Sequence, residues 1–242
     1  MPHGGQTFET AVSRSNILID AAINAGVKRL VHVSVSNAHS GLNLGYYRGK
    51  AEIEDRLFTL PISNAIVRPT LVVGPSDVLT NNIAWLLRRF PFFPVPAGKS
   101  RLQPVTLQDL AMIIADATES QDNAEIDAAG PDAMTFSEYV RLVAKACHLR
   151  LPIFNVPGWM ALAGLKCISP FLGDVILTRE ELLGLKQELL LSSEPPLGKQ
   201  SVVKWLEDSG ELLGRRYIND VNRHFGSGAT EPVLDPAKPL WR

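Results

Sequence analysis

KRLVHVSVSNAHSGLNLGYYRGK, residues Lys28 to Lys50, is the stretch from which the fold is read. A basic opening leads into Leu30–Ser36, an alternating, β-branched run with the character of a buried strand. A polar, glycine-bearing loop follows from Asn37 to Gly45, and Tyr46 and Lys50 then stand four residues apart. If Tyr46 opens a helix, its phenol and the Lys50 ammonium share a face about one turn apart. An ammonium beside a phenol favours the phenolate, which makes the tyrosine a better proton donor and acceptor near neutral pH. A strand-end hydroxyl, Ser34 or Ser36, could hydrogen-bond the same substrate oxygen. Serine, tyrosine and lysine in that order form a proton-transfer apparatus for alcohol and carbonyl chemistry. Y-x-x-x-K alone is common by chance, and its weight here comes from the strand, serine and loop that precede it.

Working outward, Gln6–Ala25 places Phe8, Ala11, Val12, Ile19, Ala22 and Ile23 on one broad stripe, the mark of a helix with a buried face. Gly26 is placed to end it as a left-handed cap. Helix and strand together make one unit of a parallel sheet. After Lys50 the helix is expected to run to about Thr59, where Pro61 stops it. Asn64–Val73 (NAIVRPTLVV) reads as a second buried strand, with Pro69 marking an irregularity or an end.

Beyond Gly74-Pro75, Thr80 or Asn81 is expected to cap a helix through Arg89, and Phe90–Pro96 to form a loop. Thr106 with Asp109 caps a helix over Leu107–Thr118, and Ala124–Ala129 is a short strand. Thr135 with Glu138 forms a capping box for a helix to about His148. Pro152–Pro157 is short and β-like, and Gly158–Leu177 is apolar, interrupted by Lys166, Pro170 and Asp174. Thr178 with Glu181 opens Arg179–Leu191, and Ser201–Asp208 and Leu212–Phe225 read as two more helices. The tail from Gly226 carries glycine and proline and is expected to be poorly ordered. The organisation expected is a sheet domain over 1–150, a helical substrate or lid region over 151–225, and a tail over 226–242.

The chain has 242 residues, is 45% hydrophobic and 20% charged, and carries a formal net charge of −1, which gives no sign of a nucleic-acid surface. Cys147 and Cys167 form no C-x-x-C pattern and the five histidines are scattered, so no metal site is expected. The first ten residues lack the basic and apolar regions of a secretory signal, and no apolar run reaches membrane-spanning length. A cytoplasmic protein is expected.

Four segments, taken in order, resemble the extended and atypical short-chain dehydrogenase/reductases, whose members include epimerases and dehydratases. NAGVKRLVHVS (Asn24–Ser34) resembles the helix–strand unit ahead of the catalytic serine. IVRPTLVVGP (Ile66–Pro75) resembles the strand that passes the nicotinamide. LQPVTLQDLAMII (Leu102–Ile114) and IDAAGPDAMTFSEYVRLVA (Ile126–Ala144) resemble the segments that follow. Within the family, the chain most resembles the branch containing the accessory dehydrogenase-like subunit of respiratory complex I.

The resemblance implies an α/β fold: an incomplete Rossmann-type parallel sheet with a mainly helical C-terminal lobe. It implies NAD or NADP as cofactor and an alcohol or carbonyl as substrate. Tyr46 would be the general acid/base, Lys50 would lower its pKa and hold the nicotinamide ribose, and Ser36 would orient the substrate. Ser34, Pro69 and Thr70 would join Tyr46 and Lys50 on the cofactor side, and Asp109 would be structural. The family's glycine-rich phosphate turn has no counterpart, because no G-x-x-G-x-x-G follows a strand and His3-Gly4-Gly5 has no strand before it. About three βα units, roughly a hundred residues at about thirty each, would be missing from a truncated or misassigned start. Dinucleotide binding would then be weak, and an uncovered sheet edge would call for a protein partner.

Blander readings stand beside these. Tyr46 and Lys50 could be an exposed helix pair, and Ser34 a hydroxyl that satisfies local backbone. Trp85, Trp159 and Trp205 read as core or lid aromatics. Gly158–Leu177 reads as a lid, or as a surface for a membrane or a quinone-like substrate. A non-catalytic nucleotide-binding scaffold, an assembly subunit of a respiratory complex, is the alternative function.

Overall fold

The computed structural model describes residues 7–221, with the backbone alone at 168 and 170–172. Helix α1 (Phe8–Asn24) is capped by Thr7, whose hydroxyl accepts from Thr10 N, and ends at Gly26 in the left-handed region with φ 75°. Strand β1 (Arg29–Val33) follows, then a single 3₁₀ turn (Ala38–Gly41) and α2 (Gly45–Phe58). Strand β2 (Ser63–Pro69) stops at Pro69, and β3 (Leu71–Val73) leaves for a different partner, as a proline with no amide to donate requires. Next come α3 (Val78–Leu87), β4 (Phe93–Pro96), β5 (Arg101–Leu102), β6 (Pro104–Thr106) and α4 (Leu107–Glu119). The order closes with β7 (Ala124–Ala128), β8 (Met134–Thr135), α5 (Phe136–Ala146), β9 (Ile153–Val156), α6 (Gly158–Leu172), α7 (Arg179–Lys186) and α8 (Val202–Ser209).

Strands β1, β2 and β7 form a parallel sheet in that order, with β2 central and β1 at an edge. The period of two decides what covers each face. Ile66 points toward Val12, Ile19, Ile53 and Leu57 of α1 and α2, whereas its neighbours Ala65 and Val67 pack on Leu110 and Ala117 of α4. Helices on both faces of a parallel sheet define the α/β class expected. The largest apolar cluster lies elsewhere: Val73, Val95, Leu102, Tyr139, Val140, Val143, Val202 and Leu206 are fully or almost fully buried around α3, α5 and α8. Three two-stranded pairs frame it, β3–β6 and β4–β9 parallel and β5–β8 antiparallel.

Residues 187–201, turned over 187–190 and without helix or strand beyond, form a strap across the C-terminal ends of the sheet strands. Leu189 O accepts from Ser36 and Asn37, and Gly198 N donates to Ala129 O. The Asp109 carboxylate accepts from Lys199 N and Gln200 N, and Asp132 caps α8 by accepting from Ser201 Oγ and Val202 N. The structure thus gives both aspartates backbone-holding work.

Several expectations are corrected. Asp77, not Thr80 or Asn81, caps α3, its carboxylate accepting from Thr80 N at 2.7 Å, while the buried Thr80 hydroxyl meets Tyr139 Oη at 2.6 Å. Phe90–Pro96 is not all loop, because Phe93–Pro96 pairs with β9. Helix α7 stops at Lys186, and Glu188 at φ 55° turns the chain into the strap. No helix forms over 212–219, where Gly214 adopts φ 66°; helical backbone resumes only at Asp220. The tail and His3-Gly4-Gly5 lie outside the described residues.

Candidate functional site

The strand end, the loop and the start of α2 bring the sequence-predicted residues to one place. Backbone pairing continues past β1: Ser34 N donates to Val67 O at 2.7 Å and Ser36 N to Pro69 O at 2.9 Å. Lys50 reaches back from α2 and donates to Val33 O at 2.8 Å. Ser34, Ser36, Lys50 and Pro69 therefore meet where β1 and β2 end, with Tyr46 one turn before Lys50 on α2. Open α/β sheets bind ligands at the C-terminal ends of their strands.

The side chains differ in what they have left to offer. Ser36 is fully buried and its hydroxyl donates to Leu189 O at 2.6 Å. Ser34 is also buried, yet its hydroxyl has no partner among the described residues. Thr70 donates its hydroxyl to Gln103 O, so Thr70 and Ser36 are both committed to the protein itself. Of Ser34 and Ser36, only Ser34 has a hydroxyl not already committed to another described residue.

Tyr46 remains 43% exposed, but its ring packs edge-on against Phe8 and Tyr47, at centroid distances of 6.5 and 5.5 Å. Desolvation raises the pKa of its phenol. The lowering expected from Lys50 is not found, and that ammonium donates to the Val33 carbonyl. Burial lowers the pKa of Lys50, while Glu54 one turn on opposes the shift. The neighbouring Tyr47 is core, and burial carries its phenol above the ordinary range.

Three features escaped the sequence reading. Glu54 is completely buried; its Oε2 accepts from Arg68 Nε at 3.0 Å and Nη2 at 2.6 Å, while Oε1 has no partner among the described residues. Arg68 Nη1 also meets Glu125 Oε2 at 2.7 Å, and His39 Nε2 lies 2.9 Å from Asp55 Oδ1. This network ties α2 and the 3₁₀ turn to β2 and β7, and so fixes the platform under Tyr46 and Lys50. The signal was present: Glu54 continues the four-residue spacing of Tyr46 and Lys50, and Arg68 is the single charge in an apolar strand. The third feature is His32, on the face of β1 toward α2, whose Nε2 has no partner among the described residues. Burial, then the Lys50 charge, lowers its pKa to about 4.

A polar groove of about 330 Å³ lies beside the network, lined by residues that include Asn37, His39, Arg68, Glu125 and Asp127. No cluster of three potential metal ligands occurs among the described residues. No helix there is long and apolar enough to cross a membrane.

No protein-family model matches the chain. In sequence it is similar to the mitochondrial NADH dehydrogenase (ubiquinone) 1 alpha subcomplex subunit 9 of Dictyostelium discoideum, 24% identical over 181 residues, or 62% of this chain. The match takes in 51% of that relative, so the chain spans about half its length. In fold it is similar to an Escherichia coli NADPH-dependent quinone oxidoreductase complexed with NADPH (TM-score 0.64, 20% identity, 79% of this chain and 69% of that one). It is similar also to a Citrobacter triphenylmethane reductase complexed with NADP(H) (TM-score 0.67, 16% identity, 87% and 74%). A nucleoside-diphosphate-sugar epimerase from Staphylococcus aureus aligns comparably (TM-score 0.65, 15% identity, 86% and 74%). The fold is thus the Rossmann-type α/β fold of NAD(P)-dependent reductases and epimerases, as the resemblance implied. The sequence similarity to a complex I subunit agrees with the branch singled out within that family.

Proposed function

We propose that the chain forms the nicotinamide- and substrate-facing part of an NAD(P)-linked oxidoreductase or epimerase-like protein that acts on an alcohol or carbonyl. The observation that carries this reading is the Ser34 hydroxyl, buried without a partner beside the carbonyl that holds Lys50. Leaving a buried polar group unpaired costs about 1–3 kcal/mol, so its retention points to a partner that the described residues do not supply. A nicotinamide dinucleotide, NAD or NADP, would supply the hydride donor or acceptor. Lys50 would hold its ribose, Pro69 and Thr70 would border it, and Ser34 would orient the substrate oxygen. The glycine-rich turn for the pyrophosphate has no match in this sequence, so these residues fit the nicotinamide side alone. Like any phenol, that of Tyr46 is protonated at neutral pH, and burial makes it a weaker acid than the Lys50 spacing implied. It would then serve as the acid that protonates the oxygen of a carbonyl undergoing reduction.

A second reading is favoured by the similarity to the complex I subunit. In it the chain is a nucleotide-binding scaffold or assembly subunit, and a protein partner covers the β1 edge and the exposed Ile17 and Leu18 of α1. Tyr46→Phe separates the two. NADH and NADPH oxidation would be followed against a panel of ketones and quinones, with the melting temperature as control. Loss of turnover by 10²–10⁴-fold at unchanged melting is the enzyme's outcome. Unchanged turnover would remove Tyr46 from the chemistry, and absence of turnover in the unaltered protein would leave the scaffold.

A further inference from the structure

We infer that the C-terminal end of α5 carries a binding pocket for an organic phosphate, separate from the Tyr46–Lys50 site and independent of its chemistry. Arg141, Lys145 and His148 recur at helical spacing and share one face, and Arg150 follows two residues later. Together they line an open pocket of about 450 Å³ whose remaining wall is apolar, made by Ala144, Leu149, Leu151 and Ile153. No carboxylate belongs to that lining. Lys145 pairs with Glu207 at 3.0 Å, and among the described residues no carboxylate forms a salt bridge with Arg141, His148 or Arg150. Glu138, one turn before Arg141, is engaged first by the backbone and hydroxyl of Thr135 and only weakly by the Arg141 charge, with no salt bridge between them.

Cations at a helix end often serve the last carbonyls and the helix dipole. Here those carbonyls have partners: Val143 O accepts from Cys147 N, Lys145 O from His148 N, and Ala144 O from Leu149 N. His148 itself sits at φ 57°, the position that ends many helices and usually belongs to glycine. A side chain is therefore kept where backbone preference opposes it, in a chain whose net charge is only −1.

Two guanidiniums match the paired oxygens of a phosphate, with the ammonium adding a point charge. A bare anion would leave the apolar wall unused, so the fitting ligand carries carbon next to its phosphate. That chemistry has two sources, a soluble phosphate ester or a phospholipid headgroup at a membrane. Exposed rings at Phe92 and Phe154, 6.1 Å apart, begin one residue beyond Ile153 and would add contact in the second case.

The test titrates the full chain by calorimetry at low ionic strength with inorganic phosphate and with decyl phosphate below its micellar concentration. In parallel, it is sedimented with phosphatidylcholine vesicles, with and without phosphatidylglycerol. Decyl phosphate is expected to bind more tightly than inorganic phosphate. The exposed double variant Arg141→Glu/Arg150→Glu should weaken binding at least 25-fold, from about 5-fold per lost cation. His148→Gly should weaken binding while the melting temperature holds or rises, an outcome that a purely structural role for the ring does not give. Vesicle binding that needs phosphatidylglycerol and is lost in the double variant assigns the lipid source. Decyl phosphate binding alone, lost in the same variant, assigns a soluble ester. The inference is overturned if neither probe binds, if the double variant binds as the unaltered chain does, or if inorganic phosphate binds as tightly as decyl phosphate.

Discussion

His32 makes the stability of this protein depend on pH in a window set by the structure. Its ring lies on the α2 face of β1, opposite Ile66 on β2 and close enough to feel the charges of Lys50 and Glu54. Burial first, and Lys50 second, lower its pKa to about 4, against about 6.5 in an unfolded chain. Between those values the unfolded chain takes up a proton that the folded one refuses. Stability therefore rises with pH through the window and is lost as pH falls from about 6.5 toward 4. At about 1.4 kcal/mol per tenfold change in proton concentration, the full gap is worth about 3 kcal/mol, and the part between pH 7 and pH 5 about 2 kcal/mol. The assay is urea unfolding at both pH values for the unaltered protein and for His32→Leu, which fills similar space and cannot titrate. Other groups titrate in both proteins and cancel in the comparison, leaving an excess loss of about 2 kcal/mol in the histidine protein. At pH 7 the leucine variant should be at least as stable, since it removes a buried nitrogen without a partner. Parallel pH profiles for the two proteins would refute the reasoning, as would a histidine protein that gains stability on acidification.

Two further substitutions probe the platform and the strand end. Arg68→Met leaves the buried Glu54 carboxylate uncompensated and is expected to cost about 3–5 kcal/mol in urea unfolding, whereas the double variant Arg68→Met/Glu54→Leu should recover most of it. Recovery absent in the double variant would show that Arg68 acts through something other than Glu54. Ser36→Ala should cost about 1 kcal/mol through its lost bond to Leu189 O, while Ser34→Ala should be neutral or stabilising. The reverse order of costs would place the unpaired hydroxyl on the wrong serine.

The sheet unit was legible because its determinants are local. Leu30–Ser36 alternates and is β-branched, Asn64–Val67 opens a buried apolar run, Gly26 supplies a left-handed turn, and the capping boxes of Thr135 and Thr178 form as their spacing requires. Pro69 also announced the end of β2. What failed depended on distant partners. Phe93–Pro96 looks like a proline-rich loop, and becomes a strand only because Ile153–Val156 arrives beside it from sixty residues away. Asp77 outcompetes Thr80 as a cap because the Thr80 hydroxyl is drawn to Tyr139 on α5. The first part of the helix expected over Leu212–Phe225 gives way, over 212–219, to the left-handed Gly214, packed closely against Ala84 and Trp85 of α3.

The choice of serine shows the same limit at the site. Position alone favoured Ser36, since it lies beyond the strand end and nearer the loop. The structure spends that hydroxyl on Leu189, 153 residues later in the chain. Asn37, at φ 55°, donates to Leu189 and to Leu191, so the strap holds two consecutive residues of the loop that leads to Tyr46. Ser192 donates to Asp127 at 2.6 Å on β7, which anchors the strap to the sheet on its far side. These bonds cross the strand ends as a set, so Ser36 and Asn37 can be released only if the strap lifts. Ser34 stands apart from them, unpaired while the strap is in place. On the function proposed above, a ligand that enters without displacing the strap would meet the Ser34 hydroxyl, next to the Val33 carbonyl that holds Lys50.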